Sequence, residues 1–187
     1  METKSKRKTH DGIETETLNN SKLMKLFEEE LKDIYWAEQK LTKAIPKMIE
    51  KTTSEELKEA LENHLGETEG HVIRVEKVFE ILDKKATAQK CKAMAGLTDE
   101  AEEIMSDCED GAMLDAGIIA AGQKVEHYEI ASYGTLIQYA KTLHLDGAVS
   151  LLEQTLKEEK AADKKLSEIA LDSVNAQAAS EDGSDLW

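Results

Sequence analysis

Apolar residues recur at steps of three and four along four long stretches of this chain. The first carries Phe27, Leu31, Ile34, Leu41, Ile45 and Met48. The second carries Leu57, Leu61, Leu65, Val72, Val75, Phe79 and Leu82. The third carries Ile119, Gly122, Tyr133, Leu136, Ala140 and Leu143, and the fourth Leu152, Leu156, Leu166 and Ala170. A stripe of that period is the buried face of an amphipathic helix. The pattern predicts long helices over 22–51, 54–83, 111–144 and 147–175, and a short one over 98–108. Ser21 is placed to cap the first helix, and Ser54 followed by Glu55 and Glu56 is a start signal for the second. Pro46 lies inside the first helix and is expected to bend it or loosen one turn.

The order long–long–short–long–long constrains the topology. Brief turns join the first two helices and the last two, so each pair is an antiparallel hairpin. The connection between the hairpins, with its own short helix, is long enough to run the length of a bundle. Two hairpins joined by one long crossover is the connectivity of ferritin-like four-helix bundles. The expected architecture is therefore all-α, with the bundle over 20–176, a disordered polar tail over 1–19 and a flexible acidic tail over 177–187.

Four positions break the stripes. Glu38 stands between Ile34 and Leu41, Glu126 and Glu129 between Gly122 and Tyr133, and Glu159 between Leu156 and Leu166. A carboxylate buried without a partner loses several kcal/mol of hydration, to an order of magnitude. A cation, a shared proton or a metal ion must compensate. The inward stripes do not supply several lysines, which favours metal; a protonated, mutually hydrogen-bonded cluster is the alternative. His64 and His71 lie near the inward face of the second helix, with Glu67 at its edge. Glu158 is the edge counterpart on the last helix, adjacent to Glu159, and Asp163 follows one turn on. A shift of 91 residues superposes the hairpins, pairing Glu38 with Glu129, Leu61 with Leu152 and Glu67 with Glu158.

Ferritin-like dimetal sites take a carboxylate from each of two helices and a Glu-x-x-His pair from each of the other two. Neither the second nor the last helix carries that pair, so the site is expected to be carboxylate-rich. Hard oxygen donors with imidazole suit iron first and manganese second. The expected ligands are Glu38, Glu126, Glu129 and Glu159, or Glu158 in place of its neighbour. His64 and Glu67 would complete the cage and Asp163 would support it. His64 can equally be a core histidine bonded to a carboxylate. His71 is expected to be a half-exposed polar residue, His10, His127 and His144 to lie on the surface, and Trp36, Tyr128 and Tyr133 to serve packing.

Composition narrows the classes of partner. The 187 residues include one proline, ten glycines, 24 basic and 39 acidic residues, for a formal charge of −15. Such a surface repels nucleic acid and anionic membrane. Lys4, Lys6, Arg7 and Lys8 form a short basic arm that reads as solvated tail. Cys91 and Cys108 are too few for a disulfide scaffold and fit reduced thiols in a cytoplasm. No apolar run reaches the roughly 18 residues of a membrane span, and the N-terminus lacks the apolar region of a secretory signal. No phosphate-binding glycine loop, Cys-x-x-Cys or Gly-x-Ser-x-Gly is present.

The stretch Ala120-Ala121-Gly122-Gln123-Lys124-Val125-Glu126-His127-Tyr128-Glu129-Ile130-Ala131-Ser132-Tyr133-Gly134-Thr135-Leu136 resembles the bacterial YciE/YciF family, ferritin-like proteins distantly related to rubrerythrin. Residues 31–38, 64–68 and 155–163 resemble it as well, and the similarity covers about 22–175. The resemblance implies a ferritin-like bundle with a centre for two metal ions, a bacterial cytoplasmic location, a homodimer and a link to stress response. Two adjacent metals in such a bundle, independently of the resemblance, are expected to serve reduction of a small oxidant such as peroxide or dioxygen, iron oxidation, or metal sequestration. The competing expectation is a non-enzymatic, stress-induced structural or partner-docking bundle with a vestigial site.

Overall fold

The computed structural model describes residues 21–181. Its helices are α1 (Lys22–Lys51), α2 (Glu55–Ile81), α3 (Lys92–Asp107), α4 (Ala112–Thr142), α5 (Asp146–Ile169) and the single turn α6 (Asn175–Ala178), with a π-helical turn at Ala170–Val174 between the last two. No strand occurs among the described residues. The fold is the expected all-α helical bundle. Residues 1–19 and 182–187 of the expected tails, with His10, lie outside the described residues.

Capping explains where α1, α2 and α3 begin. Ser21 accepts from the Met24 amide at 3.0 Å, and Ser54 from Leu57 at 3.3 Å. The α1 helix runs unbroken through Pro46. The α3 helix starts at Lys92, six residues before the expected 98, because the Cys91 thiol accepts from the Met94 amide at 3.2 Å. Cysteine is outside the usual set of caps, so the sequence carries no start signal there. Both α2 and α4 end in a Schellman motif. Lys84 N–H returns to Phe79 O at 3.0 Å around Asp83, and Leu145 N–H to Ala140 O at 2.9 Å around His144. Asp83 and His144 hold positive φ, 54° and 57°.

The α1, α2, α5 and α4 helices pack in a ring, each against the next, and α3 lies across α1 and α4. Inward positions follow a three–four alternation. In α1 they are Met24, Phe27, Leu31, Ile34, Glu38, Leu41, Ile45 and Met48, all buried. In α2 they are Leu57, Leu61, His64, Thr68, His71, Val75 and Val78. Leu65 and Val72, expected to face inward, are only partly buried. Burying each large aliphatic side chain contributes roughly 1.5–3 kcal/mol, which lets the bundle absorb a polar layer at mid-height. Buried Asp115 ties the hairpins together: it accepts from Thr53 N at 2.9 Å, Thr53 Oγ1 at 2.7 Å and Ser54 N at 2.9 Å. No described helix is long and apolar enough to cross a membrane.

Candidate metal centre

The polar layer draws on all four helices of the ring. Glu38 and Glu159 are fully buried, Glu129 is 1% exposed and Glu126 2%. From α2, His71 is fully buried and His64 is 8% exposed. One atom from each of His64, Glu126, Glu129 and Glu159 lies within 4.8 Å of all the others. The same holds for Glu38, His71 and Glu159, so the two groups share Glu159. The structure thus brings together Glu38, His64, Glu126, Glu129 and Glu159 of the expected set. It adds His71, which sequence reasoning placed half out in solvent.

Distances inside the cluster are short. His64 Nε2 lies 3.1 Å from Glu126 Oε1 and 3.9 Å from Glu159 Oε2. His71 Nδ1 lies 2.9 Å from Glu159 Oε1 and 3.5 Å from Glu38 Oε2. His71 Nδ1 and Glu159 Oε1 nonetheless lack hydrogen-bond partners, because proximity without alignment makes no hydrogen bond. Seven buried side-chain atoms among the described residues lack a partner, and all seven belong to Glu38, His71, Glu126, Glu129 and Glu159.

Glu67, Glu158 and Asp163 lie outside this cluster, on edge positions. Glu67 is exposed and its Oε2 stands 3.5 Å from His64 Nδ1. Glu158 pairs with His71 Nε2 at 3.0 Å. Its two oxygens also receive both terminal nitrogens of Arg74, at 2.5 and 3.0 Å. Each histidine therefore turns one nitrogen to the cluster and the other to a rim carboxylate. That pairing fixes ring orientation and tautomer in metal sites. Asp163 faces Gln123 at 3.4 Å and the exposed His127 at 3.3 Å. Fully buried Tyr133 donates to Glu38 Oε1, leaving Oε2 unpartnered. Tyr128 faces away, donating to Asp33 at 2.6 Å with the Cys91 thiol at 3.1 Å.

Crowded acids in a dry interior hold protons. Burial, then the charges of Glu159, Glu38 and Glu126, keep Glu129 well above the carboxylate range. Burial likewise raises Glu159 to about 8, with His71 opposing and Glu38 reinforcing. Burial alone would lower both histidines, but their acid neighbours win. His64 rises well above its ordinary value through Glu126 and Glu67, and His71 rises to about 10 through Glu159 and Glu38. Glu158, by contrast, is lowered: burial opposes ionisation, and Arg74 and His71 outweigh it.

Comparison with known proteins gives the family and the fold. Residues 22–179 match a family model described as a domain of unknown function, DUF892. The chain belongs to the DUF892 family. Protein YciF of Escherichia coli (strain K12) is 46% identical over 149 residues, covering 79% of this chain and 90% of that one. The crystal structure of the E. coli stress protein YciF matches with a TM-score of 0.79 and 44% identity, over 83% of this chain and 98% of that one. YcfI of Rhodopseudomonas palustris, described as a candidate structural protein, matches with a TM-score of 0.77 and 46% identity, over 79% and 94%. A Xanthomonas campestris protein at 22% identity and TM-score 0.66 shares the fold. The YciE/YciF resemblance read from the α4 motif stands, and the DUF892 fold is that of these helical neighbours.

Proposed function

We propose that this chain is a dimetal carboxylate protein, binding two ions of iron or manganese in the polar layer. The observation that carries the reading is the set of seven buried, unpartnered atoms, all converging from one cluster. Leaving a buried polar atom unpaired costs about 1–3 kcal/mol, more for a charged group, so seven in one place need a common partner. Carboxylate oxygens with imidazole suit iron or manganese. Glu38, His71 and Glu159 would hold one ion, and His64, Glu126, Glu129 and Glu159 the other.

A bound Fe(II) pair would supply Lewis acidity and the electrons that reduce peroxide or dioxygen, its own iron being oxidised to Fe(III). The protein's own contribution is orientation. Glu158 and Glu67 hold the outer nitrogens of His71 and His64, and Tyr133 holds one oxygen of Glu38. The description of the E. coli relative as a stress protein supports a stress-related role. Free Cys91 and Cys108 support a cytoplasmic setting. The homodimer rests on the resemblance alone, and sedimentation tests it.

A second reading has its own support, because the R. palustris relative is described as a candidate structural protein. On that reading the acids stay protonated and the bundle binds no metal. Purification without chelator, followed by metal analysis and anaerobic titration with Fe(II) or Mn(II), separates the two. Two ions per chain, lost in Glu38→Ala or Glu129→Ala, establish the dimetal centre. Peroxide-dependent oxidation of the bound Fe(II), followed by absorbance, then establishes its chemistry. No uptake and an unshifted melting temperature establish the structural reading.

A further inference from the structure

One core layer beside the cluster is left unfilled. In α5 the inward series Leu152, Thr155, Glu159, Ala162, Leu166 meets only a methyl group at its fourth member. In α4 the facing position is Gly122, which sends no side chain into the layer; Leu166 closes over its backbone so tightly that a Cβ there would lie 3.1 Å from Leu166 Cδ1, and the open space lies beside that contact. The result is a cavity of about 380 Å³, walled by Leu41, Ile45, Leu61 and Val125 and floored by His64 and Glu126. That volume sits at the small end of the ~300–1,000 Å³ range of ligand cavities. Bundle interiors otherwise fill such layers, since each empty methylene costs dispersion contacts.

The polar groups define what fits. Glu126, 2% exposed, has Oε2 unpartnered at the inner end. The rim carries Glu56, Glu59 and Glu67 against Lys165, and Lys165 is already paired to Glu56 at 2.6 Å. An acidic rim over apolar walls disfavours anions, and the walls give a bare cation no oxygen ligands.

We propose that this cavity binds a neutral, largely apolar molecule bearing one hydroxyl, an alcohol or phenol, with the hydroxyl directed at Glu126. In the metal-free protein the hydroxyl donates to the carboxylate. In the loaded protein the same end abuts the metal-bearing edge; that part rests on the dimetal reading, whereas occupancy of the cavity does not.

The test titrates the full chain, metal-free and Mn(II)-loaded, with 2-naphthol, followed by fluorescence and calorimetry. Saturable one-to-one binding to the metal-free chain is expected. Ala162→Leu and Ala60→Leu, which fill the cavity from α5 and α2, should each weaken it at least tenfold while Mn(II) uptake stays at the wild-type value. Cooperative melting checks that each variant folds, and two variants from different helices guard against one failing. Naphthalene-2-sulfonate should bind at least tenfold more weakly than 2-naphthol. The proposal is overturned by absence of saturable naphthol binding to both forms, by undiminished binding in the folded variants, or by equal affinity for the sulfonate. Naphthol binding without metal uptake would overturn the dimetal reading alone.

Discussion

His71 Nδ1 stands 2.9 Å from Glu159 Oε1, with both atoms buried and neither aligned for a hydrogen bond. An imidazole nitrogen and a carboxyl oxygen this close would normally turn toward each other. Here each side chain is held from behind, His71 by Glu158 and Glu159 by its place in the α5 core. The gap is what a shared third body would fill, and the consequences for the metal-free and metal-loaded protein differ in sign.

Glu129 shows that difference most directly. Both of its oxygens are unpartnered, and burial with the neighbouring acids pushes its carboxyl well above the usual range, so the metal-free protein favours its neutral form. Glu129→Gln puts a neutral amide of the same shape in its place. The metal-free variant should melt within about 1 kcal/mol of wild type. Its stabilisation by saturating Mn(II) should fall by at least half. Thermal melts with and without Mn(II) check both; a large loss in the metal-free form would mean the acid is ionised and paired.

Metal stabilisation should grow with pH. Glu159 sits at about 8 against an ordinary 4.5, and His71 at about 10 against 6.5. A group raised in the folded state favours folding below its unfolded value and loses that contribution as pH climbs through its folded value. For Glu159 that loss spans about pH 4.5–8, and for His71 about pH 6.5–10. Metal needs the deprotonated forms, so binding tightens over the same interval, tenfold per pH unit for each proton released. The Mn(II)-induced rise in melting temperature should therefore be larger at pH 8 than at pH 6.5. Calorimetry in buffers of different ionisation enthalpy counts the protons, and an affinity flat across this window would contradict the assignment.

Arg74 acts at one remove. Its guanidinium grips Glu158, which in turn holds His71, and it also donates to Thr155 Oγ1 at 3.1 Å. Arg74→Met keeps the aliphatic stem and removes the fork. His71 then loses its fixed orientation, and affinity at the Glu38–His71–Glu159 group should drop roughly 10–100-fold. At limiting metal the stoichiometry should move from two ions toward one. Arg74→Lys, a point charge in place of a fork, should recover only part of it.

Most of the bundle is legible from hydrophobic period, and the α1 bounds coincide with the expected 22–51. What failed is instructive. On α2 the phase was set by leucine and valine, which drew Leu65 and Val72 inward and left His71 at the rim. The true stripe, Leu61–His64–Thr68–His71–Val75, spends three consecutive core positions on polar side chains, so hydrophobicity alone misplaces it. The three–four alternation itself, continued from Leu57 and Leu61, lands on His71. Glu67 and Glu158, read from the sequence as edge residues, each lie one position off the inward phase and face the outer nitrogens of His64 and His71. Glu181 fell in the stretch read as acidic tail, yet it accepts from the amides of Ala112 and Met113 at 2.6 and 3.0 Å, a cap brought by tertiary contact and invisible to local pattern.

The two Schellman ends offer a test of backbone strain away from the metal centre. Asp83 and His144 occupy the left-handed position at φ 54° and 57°, where glycine is the usual occupant. A residue with a Cβ gives up roughly 1–2 kcal/mol there. Glycine removes that strain but brings greater freedom to the unfolded chain, so the net gain is about 0.5–1 kcal/mol. His144 is exposed and lies beyond the cluster's helical layer, so His144→Gly should raise the melting temperature by about 1–4 °C without altering metal uptake. Asp83→Gly should do the same, and the pair should add, since the motifs share no partner. A drop in melting temperature for either would show that its side chain contributes more than its backbone costs.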